Sequence, residues 1–157
     1  MWWLILPLVA AFGASALVGA PYLPMRRREA ERALDLLDLK PGQTLVDLGS
    51  GDGAVLIAAA RRGVNGIGYE INPLVWLVSL VRIIPYRGRI SIHLGDMWRA
   101  DLSQADGVFI FGIGRYMGRF DQLLKKANRP LRVVSYAFEL PRLSQRMSGA
   151  AHLYHYP

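Results

Sequence analysis

The chain has 157 residues, of which 52% are hydrophobic, and a formal net charge of +7. This length suits one domain around a single core. The chain has no cysteine, which excludes disulfides, thiolate catalysis and cysteine-ligated metals. We predict no metal site, because its three histidines lack a helical His-x-x-x-His spacing. The basic residues are spread along the chain, so no nucleic-acid-binding tail is predicted.

The amino-terminal segment is strongly apolar. Residues 1–20 carry no charged side chain, and about 20 helical residues cross the hydrocarbon core of a bilayer. Arginines at residues 26–28 follow, and basic residues next to a membrane span tend to stay in the cytoplasm. We therefore predict a single-pass membrane anchor at residues 1–20 and one domain at residues 21–157 on the cytoplasmic side. A cleaved signal peptide, or a buried or interfacial helix, is the alternative.

A proline link, an amphipathic helix and a buried strand are predicted next. Pro21 and Pro24 disfavour helix, and residues 26–39 place apolar side chains on one helical face. Residues 44–48 are apolar except for Asp47. Such a run is typical of a central parallel strand that is covered on both faces.

A glycine-rich turn follows this strand and precedes a helical pattern. It contains Gly49, Gly51 and Gly53, and the carboxylates of Asp47 and Asp52 flank it. A strand, a glycine turn and a helix start are typical of nucleotide-type sites, but the spacing departs from the dinucleotide fingerprint. The carboxylates would repel a pyrophosphate and attract an ammonium and a sulfonium. We therefore predict S-adenosylmethionine, rather than NAD, as the cofactor.

Carboxylates also follow the next two predicted strands. Glu70 ends the second strand, where it can accept hydrogen bonds from both ribose hydroxyls. Asp96 follows the third strand, where it can accept a hydrogen bond from the adenine amino group. Met97 or Trp98 could pack on the purine face. The simpler alternatives are a structural turn at the glycines, a helix cap at Glu70 and an ordinary turn at Asp96.

The remaining pattern continues the alternation of strands and helices. The predicted strands are residues 44–48, 65–70, 89–94, 107–111, 132–138 and 152–156, and the predicted helices are residues 26–39, 54–62, 74–84 and 115–127. Right-handed crossovers between such elements imply an α/β fold. We predict a Rossmann-like, open and mostly parallel sheet with helices on both faces.

The order of these residues resembles that of class I S-adenosylmethionine-dependent methyltransferases. In particular, the chain resembles the membrane-anchored lysine methyltransferases, a family that includes the enzymes acting on the ATP synthase c-subunit and the adenine nucleotide translocase. The resemblance rests on the apolar amino terminus, the Pro-Tyr-x-Pro link, Asp47-x-Gly49-x-Gly51-x-Gly53, Gly68-Tyr69-Glu70-Ile71-Asn72-Pro73, Asp96-Met97-Trp98 and Val108-Phe109-Ile110-Phe111-Gly112.

This resemblance implies roles for further residues. Tyr22 and Pro24 would close over the methionine end of the cofactor, and Asn72 would join the cofactor-binding residues. The loop after Phe111 would border the acceptor lysine. The sequence departs from the family at Gly114-Arg115, where a less charged loop is expected.

The carboxyl terminus is a second departure. Only one strand is predicted after the fifth, where a class I sheet has an antiparallel pair, so the pair is expected to be abbreviated. An open edge would then need a second copy of the chain, in a homo-oligomer, or the membrane to cover it.

A lysine acceptor must lose a proton before it is methylated. Tyr136 and Glu139, at the end of the fifth predicted strand, are therefore candidate catalytic residues. The simpler alternative is that they are strand-end residues with ordinary surface partners.

The sequence thus predicts methyl transfer to a lysine side chain of a membrane-associated protein substrate. One alternative is a small hydrophobic or lipid-like acceptor, and another is a non-catalytic cofactor-binding module. A nucleic-acid methyltransferase is disfavoured, because no Asn-Pro-Pro-Tyr-type tetrad follows Phe111. We therefore predict no nucleic-acid partner.

Overall fold

The computed structural model describes residues 23–142 and 144–157. Within them, helices and strands alternate as predicted. The helices are α1 (Arg27–Leu37), α2 (Ala54–Arg61), α3 (Pro73–Arg82) and α4 (Met117–Lys125). The strands are β1 (Thr44–Leu48), β2 (Asn65–Glu70), β3 (Ile90–Leu94), β4 (Gly107–Ile110), β5 (Leu131–Tyr136), β6 (Arg146–Ser148) and β7 (Ala151–Tyr156). Short 3₁₀ turns lie at Ile84–Tyr86, Met97–Arg99 and Gly114–Tyr116.

The strands form one sheet in the order β3-β2-β1-β4-β5-β7-β6. Strands β1 to β5 pair in parallel, and β7 pairs antiparallel with both β5 and β6. This confirms the Rossmann-like α/β fold. The expectation of a single strand after the fifth is wrong, because β6 and β7 form the antiparallel pair. Of this pair, only β6 is short. Its three residues are partly or fully exposed, so no apolar pattern marks the strand in the sequence.

Helices cover both faces of the sheet. Helices α1, α2 and α3 share one apolar cluster with Leu45, whereas α4 packs through Phe120 and Leu124 into a second cluster with Val46 and Leu48. Successive side chains of a strand point to opposite faces. Because both faces are covered, β1 and β4 are apolar along almost their whole length.

The residues on which the membrane prediction rests lie mostly outside the described part of the chain. Among residues 23–142 and 144–157, no helix has both the length and the apolar character needed to span a bilayer. The predicted anchor at residues 1–20 and Tyr22 belong to the segment that is not described, so both stay predictions.

Candidate active site

Three of the predicted carboxylates, Asp47, Glu70 and Asp96, lie at the carboxyl ends of parallel strands β1, β2 and β3. Strand β1 lies between β2 and β4, and the chain connections diverge from it in opposite directions. Open α/β sheets bind their ligands at such a switch point, outside the carboxyl ends of the strands. The turn after β1 is therefore the natural centre of a ligand site.

All three glycines of this turn have left-handed backbone angles. The φ angles are +90° at Gly49, +54° at Gly51 and +78° at Gly53. The backbone N–H groups of Gly49 and Ser50 both donate to the carbonyl oxygen of Tyr69 at 3.0 Å, which pins the turn against β2. Glycine is favoured at these angles because it has no Cβ.

Gly68 on β2 also shapes the turn, a role that the sequence analysis missed. A Cβ at this position would lie 2.6 Å from Ser50 Oγ and 2.8 Å from Leu56 Cδ1. Glycine here lets the turn and α2 approach the strand closely. The signal was the presence of two glycines, Gly66 and Gly68, inside one strand pattern.

Glu70 connects the turn to the end of β2. Its side chain is buried, with 8% of the residue exposed. One carboxylate oxygen accepts a hydrogen bond from Gly51 N at 2.9 Å, and the other accepts one from Asn72 N at 2.7 Å. A carboxylate has about four acceptor positions, so acceptor capacity remains for two ligand hydroxyls.

Asn72, rather than Glu70, caps helix α3. Its side-chain oxygen accepts hydrogen bonds from Leu74 N at 3.0 Å and Val75 N at 3.4 Å, and Pro73 takes the first helical position. This satisfies N–H groups that have no partner inside the helix. The structure thus gives Asn72 a capping role, and the alternative in which Glu70 caps the helix is wrong.

Asp47 is a buried carboxylate with an unfavourable environment. Only 3% of the residue is exposed. Burial, followed by the nearby charge of Glu70, raises the pKa of Asp47 from 3.8 to about 8. No cation among the described residues offsets these two effects. An ammonium group of a ligand would supply the missing positive charge.

The second turn carboxylate has a partner within the protein. Asp52 forms an ion pair with Arg82 of α3, and it also accepts a hydrogen bond from Ala54 N at 3.2 Å. The pair ties the start of α2 to the end of α3. Asp52 therefore has a structural role here that competes with the predicted role in cofactor binding.

Asp96 caps the turn after β3. Its carboxylate accepts a hydrogen bond from Trp98 N at 3.0 Å. The sulfur of Met97 lies 3.8 Å from the place that a Cβ on Gly49 would occupy, so Met97 borders the glycine turn. Trp98 instead packs on Phe120, with ring centroids 4.5 Å apart. Of the two predicted purine-packing residues, Met97 is therefore the one that the structure brings to the turn.

The two candidate catalytic residues have different surroundings. The ring of Tyr136 packs edge-on against Phe111, with centroids 5.0 Å apart. Burial, together with the Glu29 carboxylate of α1, raises the pKa of Tyr136 above its ordinary value. The Glu139 side chain is 71% exposed, and its carboxylate lies 3.9 Å from Nδ1 of His152. Tyr136 therefore contacts Phe111 and Glu29, whereas Glu139 lies near His152, so the two side chains have different neighbours.

The residues implied at the amino-terminal link are only partly described. Pro24 is exposed just before α1. Tyr22 lies outside the described residues, so its predicted place over the cofactor is untested.

The chain matches the family described as ANTKMT methyltransferase domain over residues 47–147. It is 37% identical over 129 residues to the human lysine N-methyltransferase of the ATP synthase c-subunit, covering 77% of this chain and 53% of that protein. It is 38% identical over 128 residues to the mouse adenine nucleotide translocase lysine N-methyltransferase, covering 77% and 54%. The chain thus spans about half the length of these relatives.

Shorter relatives and solved structures are also similar. A protein-lysine N-methyltransferase from Saccharolobus islandicus (strain REY15A) is 31% identical over 125 residues, covering 76% of this chain and 78% of that protein. The crystal structure of an RNA methyltransferase from Salinibacter ruber with S-adenosyl-L-homocysteine superposes with a TM-score of 0.76 at 26% identity, covering 85% and 92% of the two chains.

Proposed function

Because the chain belongs to the family of ANTKMT methyltransferase domains, we propose that it transfers methyl groups from S-adenosylmethionine to a lysine side chain of a membrane-associated protein. Relatives from human and mouse carry names with this activity on two membrane proteins. The single observation that carries the proposal is the acidic glycine turn that Glu70 holds against β2.

The site residues fit this cofactor. Glu70 keeps acceptor capacity for the ribose hydroxyls after it has bound two backbone N–H groups. Asp47 offers a buried carboxylate without a cationic partner among the described residues, which suits an ammonium group. Met97 borders the glycine turn. Asp96 directly precedes Met97 and follows β3, where the adenine would lie. A pyrophosphate would be repelled by the Glu70 carboxylate and by the charged form of Asp47.

Methyl transfer depends more on positioning the amine and the methyl group than on reactive groups supplied by the protein. Bound S-adenosylmethionine would supply an electrophilic methyl group, and its sulfonium would leave as a neutral thioether. The chain's task is to hold a neutral amine in line with that methyl and to exclude water. Tyr136 borders the carboxyl edge, and its raised pKa keeps the phenol protonated at neutral pH. It would therefore orient the amine through a hydrogen bond rather than act as a strong base.

We further propose a membrane location for the enzyme. The apolar residues 1–20 would anchor it, with the domain at residues 21–157 on the cytoplasmic side. An anchored domain would meet acceptor lysines close to the bilayer surface.

Labelled methyl transfer tests the activity and the acceptor class together. The full chain is incubated with methyl-labelled cofactor and membranes, and label is then counted in protein, lipid and RNA fractions. The proposal expects label on lysine side chains of a membrane protein. It also expects loss of the label with Glu70→Ala and retention with Asp35→Asn, an exposed carboxylate on α1. Cofactor binding without transfer to any fraction would support the non-catalytic module instead.

A small hydrophobic acceptor is the second candidate. The chain is 40% identical over 74 residues, or 45% of its length, to the nocamycin O-methyltransferase of Saccharothrix syringae. Label that appears in the lipid fraction and not in protein would favour this candidate and contradict the lysine proposal.

A further inference from the structure

Helix α3 has an exposed apolar face. We use this term for Leu77, Val78, Val81 and Ile84, whose exposed fractions are 51%, 52%, 68% and 50%. Their spacing places them along one stripe of the helix and its 3₁₀ extension. The opposite side of the helix is held to β3, where the indole N–H of Trp76 donates to the carbonyl oxygen of Ile92 at 2.9 Å. The stripe is therefore fixed facing outward, and contiguous aliphatic surface of this kind marks a contact site.

Basic side chains surround the end of this face. Residues 71–95 contain three arginines and no aspartate or glutamate. Among the described residues, Arg87 forms no ion pair, and the Arg89 side chain donates its one hydrogen bond to the carbonyl oxygen of Gly63. Arg61 joins them from α2, because its guanidinium lies over the ring of Tyr86 and donates to its hydroxyl at 3.1 Å. We call Arg61, Arg87 and Arg89 the basic rim.

The exposed apolar face and the basic rim together distinguish between the surfaces that could cover α3. In a two-fold pair with parallel α3 helices the two basic rims would meet, and like charges repel. In an antiparallel pair each rim would face the start of the other α3, where residues 71–77 contain no carboxylate. Residues 1–20 are apolar but contain no carboxylate to match the arginines. An anionic bilayer offers both an apolar interior and phosphate groups at its surface. Of these three occupants, the anionic bilayer alone complements both the apolar face and the basic rim.

We propose that the exposed apolar face and the basic rim form a membrane contact separate from residues 1–20. The aliphatic side chains would enter the headgroup region, and the arginines would lie among lipid phosphates. Since α3 begins shortly after Glu70, this contact would also set the orientation of the carboxyl edge relative to the bilayer. It does not depend on the proposed methyl transfer.

A single fluorescent reporter tests the contact in the full chain. The chain has no cysteine, so Val81→Cys takes one environment-sensitive label in the apolar face. Gln122→Cys, exposed on α4 across the sheet, is the matched control. Each labelled protein is bound to vesicles of phosphatidylcholine and phosphatidylglycerol that carry nitroxide lipids. We expect a blue shift at position 81 and quenching severalfold stronger than at position 122.

The charge contribution has its own variant. Arg87→Glu combined with Arg89→Glu should reduce quenching at position 81 on anionic vesicles, and raised salt should reduce it in the unchanged chain. Equal quenching at positions 81 and 122 in vesicle-bound protein would overturn the proposal. A blue shift at position 81 without vesicles would also overturn it, because another copy or residues 1–20 would then cover the face. Quenching at position 81 that is unchanged by the two arginine substitutions and by the lipid charge would overturn the role of the basic rim.

Discussion

The cofactor half and the acceptor half of the carboxyl edge are built in different ways. In the cofactor half, the Glu70 carboxylate accepts a hydrogen bond from Gly51 N, and the turn is bonded through main-chain N–H groups to Tyr69 of β2. The carboxylates of Asp47 and Glu70 are almost fully buried. In the acceptor half, Glu139 is largely exposed, and Tyr136 faces a carboxylate of α1. Buried carboxylates without water must find partners, whereas exposed ones need none.

This difference shows where recognition is specified. The cofactor half is a rigid frame whose shape depends on residue identity, so substitutions there should affect both folding and binding. The acceptor half is a surface, and substitutions there should change turnover with little effect on folding.

The largest expected effect is the difference between removing Glu70 from the cofactor half and removing Glu139 from the acceptor half. Glu70→Ala leaves the buried N–H groups of Gly51 and Asn72 without an acceptor, and should lower the free energy of unfolding by about 2–4 kcal/mol. Methyl transfer should fall by at least about 100-fold. Glu139→Ala, an exposed glutamate, should change the unfolding free energy by less than about 0.5 kcal/mol. Chemical denaturation and labelled transfer measure both effects, and equal losses in the two variants would contradict the account.

A pair of glycines tests whether the frame is rigid. Gly53→Ala places a Cβ at φ +78° and 3.2 Å from Ile92 Cδ1, and should cost about 1–2 kcal/mol of stability. Gly88→Ala is the matched control, because a Cβ there meets no atom within 4 Å. Its effect on denaturant unfolding should stay within about 0.5 kcal/mol. A neutral Gly53→Ala would mean that the turn tolerates other backbone angles.

The pH dependence of stability tests the buried Asp47. Its pKa is about 8 in the folded cofactor-free chain, against 3.8 ordinarily. Between these values the folded state keeps a proton that the unfolded state releases, so this group makes stability fall as pH rises from about 4 to 8. Asp47→Asn should flatten that fall when denaturant unfolding is measured across this window. An unchanged slope would show that the folded state does not raise the pKa of Asp47, and would contradict the account.

Tyr136→Phe should give the smallest effect. A phenol that only orients the amine should contribute about tenfold or less to turnover, and cofactor affinity should not change. A general base would contribute about 10²–10⁴-fold. Turnover measured against pH separates the two, because only loss of a base removes a titration from the profile.

Local sequence was sufficient to predict the frame, but not the long-range contacts around it. The turn, Glu70 and the first five strands follow from apolar runs that end in glycine or carboxylate. The ion pair between Asp52 and Arg82 joins residues 30 positions apart, so no local pattern indicates it. The same holds for Tyr136, whose environment depends on Glu29 of α1.

The terminal strands show the other limit of sequence reasoning. Strand β7 is mostly buried and was expected, although it begins one residue earlier than predicted. Strand β6 is partly or fully exposed, so its residues carry no apolar alternation and its pairing with β7 defines it. A strand held by its partner alone cannot be identified from periodicity.

Titration calorimetry with S-adenosylmethionine and NAD tests most directly the claim that this acidic turn selects a cationic cofactor. We predict that the unchanged chain binds S-adenosylmethionine, that Glu70→Ala abolishes this binding, and that NAD gives no binding heat with either protein. Binding of NAD by the unchanged chain, or undiminished binding of S-adenosylmethionine by Glu70→Ala, would contradict the account.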